Sequence, residues 1–146
     1  MKLNLILDAS GSLSENGKDS VARMLLLSAR RLCGVLPDLE LRAYRWREDI
    51  VPLPPDVPPD FSGRADPDAL NRFLAERREE AALLLTDGGE LPEKPGDGLF
   101  IVAVGGDCDR DRLGGAVGRE DRVFPGSDLP GCLLRICCRK GEDHVC

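Results

Sequence analysis

A short run of oxygen-bearing residues near the start of the chain has the composition of a divalent-cation site. Asp8, Ser10 and Ser12 alternate with small residues, so one carboxylate and two hydroxyls can turn toward one point in a tight loop. Hard oxygen ligands, some anionic and some neutral, suit Mg²⁺, which requires octahedral geometry and usually keeps several waters. The same residue types also form ordinary hydrogen-bonded turns, so this run alone leaves both interpretations open.

Two further carboxylates each follow an apolar run. Asp87 comes shortly after the run 81–85, and Asp107 comes shortly after the run 99–104. Short apolar runs that alternate with helical stretches predict buried strands of a parallel sheet. Because the carboxyl ends of parallel strands lie at one edge of a sheet, we expect Asp8, Asp87 and Asp107 to lie near one another.

The apolar periodicity predicts the elements that position these residues. Strands are predicted over residues 3–7, 39–46, 49–53, 81–85, 99–104 and 122–124, and helices over 18–36, 66–80, 109–117 and 127–138. Strands that alternate with helices predict an α/β fold, a three-layer α/β/α sandwich with a central, mostly parallel sheet. We expect one domain over residues 1–138 and an irregular tail over 139–146.

Composition narrows the classes of partner. The 146 residues include 20 Lys and Arg against 26 Asp and Glu, for a formal charge of −6. This acidity argues against nucleic acid as a partner, because contacts with phosphates require clustered Lys and Arg side chains. It also argues against an anionic membrane surface. The sequence shows neither a signal peptide nor an apolar run long enough to span a bilayer, so we expect a cytoplasmic protein.

The six cysteines are expected to be reduced thiols in that compartment. The cysteine-rich end of the chain lacks the paired two-residue spacing that is typical of zinc sites. We therefore interpret Cys132 and one of the pair Cys137 and Cys138 as small packing residues in a final helix.

Three motifs, in order along the chain, resemble the von Willebrand factor A (vWA) domain family. They are LILDASGS at residues 5–12, LLLTDG at 83–88 and FIVAVG at 100–105. Their order and spacing agree with the family over nearly the whole chain, from residue 3 to about residue 134. The resemblance implies a Rossmann-like vWA fold, of the small stand-alone type found inside bacterial cells.

The resemblance also implies a metal-ion-dependent adhesion site (MIDAS). In that family, Ser10 and Ser12 would bind Mg²⁺ or Mn²⁺ directly, whereas Asp8 and Asp87 would act mainly through water. An acidic residue of a partner protein fills the remaining position on the cation. The implied function is protein–protein interaction without catalysis, beside a MoxR-type AAA+ ATPase or another component of the same gene cluster in a bacterial stress or conflict system.

One position departs from the family pattern. Arg64 stands where the family has a threonine ligand. Asp66 or Ser62 could supply the missing oxygen, or the cation could bind weakly without it. Alternatively, the Arg64 guanidinium could pair with Asp8 and Asp87 and replace the cation in a metal-free scaffold. Asp66 also fits the N-cap of the predicted helix that follows it.

An enzymatic alternative uses the same first motif. A Mg²⁺-dependent phosphohydrolase could use Asp8 as its nucleophile, with Asp107 or Asp111 on the metal. That class of enzyme needs a second aspartate where Ser10 stands, so its proton donor is missing. We therefore favour binding over catalysis.

Overall fold

The computed structural model describes residues 1–88, 99–105 and 122–145, of which 139–145 are described by their backbone. The strands in these ranges are β1 (Lys2–Asp8), β2 (Glu40–Trp46), β3 (Ile50–Pro52), β4 (Ala81–Thr86), β5 (Leu99–Ala103) and β6 (Val123–Pro125). The helices are α1 (Lys18–Val35), α2 (Pro67–Glu76) and α3 (Leu129–Val145).

The strands form a single sheet in the order β3-β2-β1-β4-β5-β6. Strands β2, β1, β4, β5 and β6 are parallel, and β3 pairs antiparallel with β2 at one edge. The strands β4 and β5 are wholly buried and apolar but for one threonine, as expected for central strands of a parallel sheet. The predicted α/β fold with a mostly parallel sheet is confirmed.

Helices cover both faces of the sheet. On one face, α1 and α3 bury their apolar sides against alternate residues of the strands, among them Leu3, Leu5 and Leu7 of β1. On the other face, α2 packs against the opposite set, which includes Ile6 of β1. This alternation follows from the two-residue period of a strand, and it produces the predicted three layers.

Two helix boundaries differ from the prediction. Helix α2 ends at Glu76 because the four charged residues 77–80 offer no apolar side chain to the core; the chain turns there toward β4. Helix α3 continues to Val145, so the backbone of residues 139–145 is helical where an irregular tail was expected. No proline follows residue 130 to stop this helix.

Some predictions fall on residues outside the described ranges. They are the helix over 109–117 and the positions of Asp107 and Asp111. Within the described residues, no helix is both long enough and apolar enough to cross a membrane.

Candidate metal centre

The candidate site lies where two adjacent parallel strands end. Asp8 is the last residue of β1, Thr86 is the last residue of β4, and Asp87 follows it directly. The chain leaves β1 toward β2 on one side, whereas β4 lies on the other side of β1. Such a reversal of strand order opens a crevice at the carboxyl ends of the strands, where ligands of open α/β sheets bind.

Two hydroxyls and one carboxylate meet in this crevice. A 3-10 turn over Gly11–Ser14 follows β1 and brings Ser10 and Ser12 close together. Their Oγ atoms lie 3.1 Å apart, and the Ser12 hydroxyl donates to Oδ1 of Asp87 at 3.3 Å. The structure therefore places side chains from two distant stretches of sequence in one polar cluster, as the strand ends predict.

Asp8 lies beneath this cluster and is fully buried. Its Oδ1 accepts a hydrogen bond from the backbone N–H of Ser10 at 3.0 Å, and its Oδ2 accepts one from the Thr86 hydroxyl at 2.6 Å. Burial raises the pKa of the Asp8 carboxyl, and the charge of Asp87 adds to the rise, whereas these hydrogen bonds oppose it. Asp8 thus holds the loop and β4 together while carrying a charge that burial disfavours.

Lys18, which no motif of the sequence singles out, belongs to the same cluster. Its Nζ lies 3.3 Å from Oδ2 of Asp87, the carboxylate oxygen that does not accept from Ser12. The two side chains are only 9% and 5% exposed. One feature of the sequence does point to Lys18. The helix dipole disfavours a positive charge at the first position of a helix, so a lysine there indicates a nearby negative partner.

The loop that carries Arg64 lies directly beside the serine loop. The backbone N–H of Gly11 donates to the carbonyl of Gly63 at 2.9 Å, and that of Ser62 donates to the carbonyl of Ala9 at 2.9 Å. Gly63 has a positive φ of 73°, which glycine adopts without strain. Ser62 and Arg64 are exposed, so the position that the family gives to a threonine ligand lies at the surface, on a loop beside the serine loop.

Asp66 is the N-cap of α2. Its Oδ1 accepts a hydrogen bond from the backbone N–H of Asp68 at 3.0 Å. Its own backbone is also fixed, because its carbonyl accepts from the indole N–H of Trp46 at 2.8 Å and its N–H donates to the carbonyl of Arg47 at 2.7 Å. These contacts match the helix-cap interpretation of Asp66, and its role as a metal ligand stays a prediction.

The spacing and chemistry of the cluster fit a small hard cation. Neighbouring ligands of an octahedral Mg²⁺ with bonds of ~2.1 Å lie ~3 Å apart. The Oγ atoms of Ser10 and Ser12 are 3.1 Å apart, and Oγ of Ser12 is 3.3 Å from Oδ1 of Asp87, so each of these two spacings is close to that value. Among the described residues, no three His, Cys, Asp or Glu side chains form a metal-binding group, so any ligand set here depends on the serine hydroxyls.

Comparisons by sequence and by structure differ in outcome. No model of a known protein family matches the sequence, and no curated protein matches it. Solved structures do match. A structure of proximal thread matrix protein 1 from the mussel byssus, with a zinc-occupied MIDAS motif, aligns with a TM-score of 0.58 at 15% identity, over 92% of this chain and 44% of the mussel chain.

Two further structures match in the same way. An aerotolerance-related membrane protein from Bacteroides fragilis aligns with a TM-score of 0.59 at 13% identity, over 93% of this chain and 98% of that one. The ArnB paralog VWA2 from Sulfolobus acidocaldarius aligns with a TM-score of 0.51 at 16% identity, over 90% of this chain and 43% of that one.

These matches define the fold of the chain as vWA-like, as the three motifs predicted. At such low identities the likeness shows the fold alone. The chain spans less than half the length of the mussel and Sulfolobus proteins and nearly all of the Bacteroides chain. The small stand-alone bacterial type stays a prediction.

Proposed function

We propose that this chain is a binding module that docks an acidic side chain of a partner protein through a divalent cation. Ser10 and Ser12 hold the cation, Asp87 contributes through one carboxylate oxygen, and Asp8 supports the serine loop from below. Mg²⁺ or Mn²⁺ suits this set of hard oxygens. The observation that carries the proposal is the close spacing of three side-chain oxygens. Oγ of Ser12 lies 3.1 Å from Oγ of Ser10 and 3.3 Å from Oδ1 of Asp87.

The fold supports the choice of site. The crevice lies at the strand-order reversal, and the matched mussel structure has a zinc ion at its own MIDAS motif. The charges support the choice of ligand. Among the described residues of the cluster, the carboxylates of Asp8 and Asp87 roughly neutralise a dication, and the Lys18 ammonium adds one positive charge. These charges favour a carboxylate as the partner's ligand.

The identity of the partner rests on family resemblance. We propose a MoxR-type AAA+ ATPase or another component of the same gene cluster, in the cytoplasm of a bacterium. Capture from a lysate of the source cells with immobilised protein tests this. The proposal predicts a partner that is retained in Mg²⁺, released by EDTA and absent with the Ser10→Ala, Ser12→Ala variant. A partner retained equally in EDTA contradicts docking through a cation.

Thermal unfolding with added divalent cation tests the site itself. A ligand at a hundred times its Kd stabilises the folded state by about 2.7 kcal/mol, which raises the Tm of a chain of this size by about 5–10 °C. The Ser10→Ala, Ser12→Ala variant is expected to lose this shift. Ser20→Ala is the matched control, because Ser20 is exposed on α1. An unchanged Tm of the parent at millimolar Mg²⁺ and Mn²⁺ contradicts the proposal.

We propose binding rather than catalysis because Asp8 is poorly placed as a nucleophile. It is fully buried, and each of its oxygens accepts a hydrogen bond, from Ser10 and Thr86. A nucleophilic carboxylate must instead present an oxygen to the substrate. An assay with a generic phosphoester separates the two functions. Turnover by the parent that disappears in Asp8→Asn overturns the binding proposal.

A further inference from the structure

Lys18 is in an unfavourable place for a lysine. It is the first residue of α1, where the helix dipole opposes a positive charge, and the preceding Gly17 offers no side-chain cap. Its side chain is also 9% exposed, so the ammonium has lost most of its hydration. Both features cost stability, and the ion pair with Asp87 at 3.3 Å offsets them.

The ion pair uses one of the two oxygens that Asp87 offers. Oδ2 of Asp87 lies against the Lys18 ammonium, whereas Oδ1 accepts from the Ser12 hydroxyl. The carboxylate therefore connects a fixed positive charge to the hydroxyls that would hold a cation. The Asp87 side chain is only 5% exposed. Solvent would therefore only weakly screen the Lys18 ammonium from a cation bound on the other side of this carboxylate.

We propose that Lys18 is a tethered competitor of the divalent cation and sets a low affinity for it. Its ammonium neutralises Asp87 when no ion is bound, and it repels the ion that enters beside that carboxylate. The inference rests on the proposed function, since it concerns the same site. Because a partner's carboxylate would offset the Lys18 charge, ion binding and partner binding would strengthen each other.

Calorimetric titration with Mn²⁺ alone tests this inference on the full chain. Lys18→Met removes the charge and keeps most of the side-chain volume, and it is expected to bind Mn²⁺ at least tenfold more tightly than the parent. Lys18→Gln keeps a hydrogen-bond donor for Asp87 without the charge, so it gives the same comparison if the methionine variant does not fold. Lys2→Met is the matched control, because Lys2 is exposed at the opposite end of β1.

The ion-free proteins give a second readout. Without added metal, Lys18→Met is expected to have a lower Tm than the parent, because Asp87 loses an ion pair in a nearly buried position. Saturating Mn²⁺ is expected to raise the Tm of the variant more than that of the parent. Lys2→Met is expected to match the parent in both measurements.

The outcomes separate this inference from the proposed function. If the parent binds Mn²⁺ and the neutral Lys18 variants bind it equally or more weakly, Lys18 only braces Asp87, and the inference is wrong while the proposed function stands. If the parent binds no Mn²⁺ and the neutral variants do, the inference holds and the parent does not dock through a cation. If no variant binds Mn²⁺, both are wrong.

Discussion

The hydroxyl of Thr86 donates a 2.6 Å hydrogen bond to Oδ2 of Asp8, although the two residues are 78 positions apart in the chain. Both side chains are fully buried. The Thr86 hydroxyl also accepts from the backbone N–H of Gly88 at 3.1 Å, so it orders the turn that carries Asp87. This single hydroxyl therefore ties the end of β4 to the end of β1 and fixes the floor of the candidate site.

The first prediction concerns this hydroxyl. Thr86→Val preserves the side-chain shape but leaves a buried carboxylate oxygen without its donor, which costs about 1.5–3 kcal/mol for a bond to a charged group. Urea unfolding is expected to show this loss of stability. Thr86→Ser is the control, because it retains the donor and loses only a methyl group. Equal stabilities of the valine and serine variants show that the hydrogen bond from Thr86 to Asp8 does not stabilise the fold.

The second prediction concerns the charge of Asp8. Burial raises the pKa of this carboxyl, which means that the charged form is disfavoured in the folded protein without metal. The folded metal-free protein therefore takes up this proton at a higher pH than the unfolded chain, so its stability relative to Asp8→Asn, which cannot ionise here, is expected to rise in urea unfolding as pH falls through the raised pKa. The same variant is expected to lose the stabilisation by Mg²⁺.

Asp56→Asn is the control for this comparison, because Asp56 is exposed in the segment that follows β3. It is expected to change neither the Tm nor the response to Mg²⁺. A difference in stability between parent and Asp8→Asn that does not change with pH shows that Asp8 ionises as readily in the folded protein as in the unfolded chain.

The third prediction separates the two interpretations of Asp66. If this residue only caps α2, Asp66→Ala lowers the free energy of unfolding by about 1 kcal/mol and leaves the affinity for Mn²⁺ within twofold of the parent. Asp66→Asn is the control, since asparagine is an equally good cap. A tenfold weaker affinity for Mn²⁺ in both variants, measured by calorimetry, assigns Asp66 to the ligand set instead.

The fourth prediction concerns stability at alkaline pH. Burial, with a smaller contribution from Asp128, raises the pKa of the Cys132 thiol from 9.0 to about 12. In the unfolded chain this thiol loses its proton above pH 9, while in the folded protein it keeps it up to about pH 12. The unfolded state therefore binds fewer protons in this window, and stability falls as pH rises through it.

Cys132→Ala isolates this effect from the other groups that titrate at high pH. The difference in unfolding free energy between parent and variant is expected to shrink with pH above 9, by on the order of 1.4 kcal/mol per pH unit. Below pH 9 the difference is expected to be constant. A difference that stays constant up to pH 12 shows that the thiol ionises in the folded protein as readily as in the unfolded chain.

The parts of the site that follow strand ends could be predicted from the sequence. Asp8 and Asp87 each follow a buried apolar strand, and parallel pairing brings such ends to one edge of the sheet. The place of Ser10 and Ser12 in the site could also be predicted, because both lie within a few residues of Asp8. The local signal for a helix cap at Asp66, followed by a proline, was likewise sufficient.

The remaining features depend on contacts between elements. Lys18 lies against Asp87 because the first turn of α1 is close to the residue that follows β4. Apolar spacing predicts which side of a helix faces the sheet, but not which strand end its first residue lies beside. The extension of α3 to Val145 involves a stretch without an apolar pattern strong enough to predict it. The order of the strands in the sheet could not be predicted from the sequence, because several orders are compatible with the same alternation of strands and helices.

The most direct test is a crystal structure of the protein soaked in Mn²⁺, with the ion located by its anomalous scattering. If the two serine hydroxyls hold the cation, an anomalous peak is expected within bonding distance of Oγ of Ser10 and Oγ of Ser12, close to the ~2.1 Å that Mg²⁺ shows with oxygen ligands. The peak is expected to disappear in the Ser10→Ala, Ser12→Ala protein. No peak beside these hydroxyls at saturating Mn²⁺ contradicts cation binding at the serine loop.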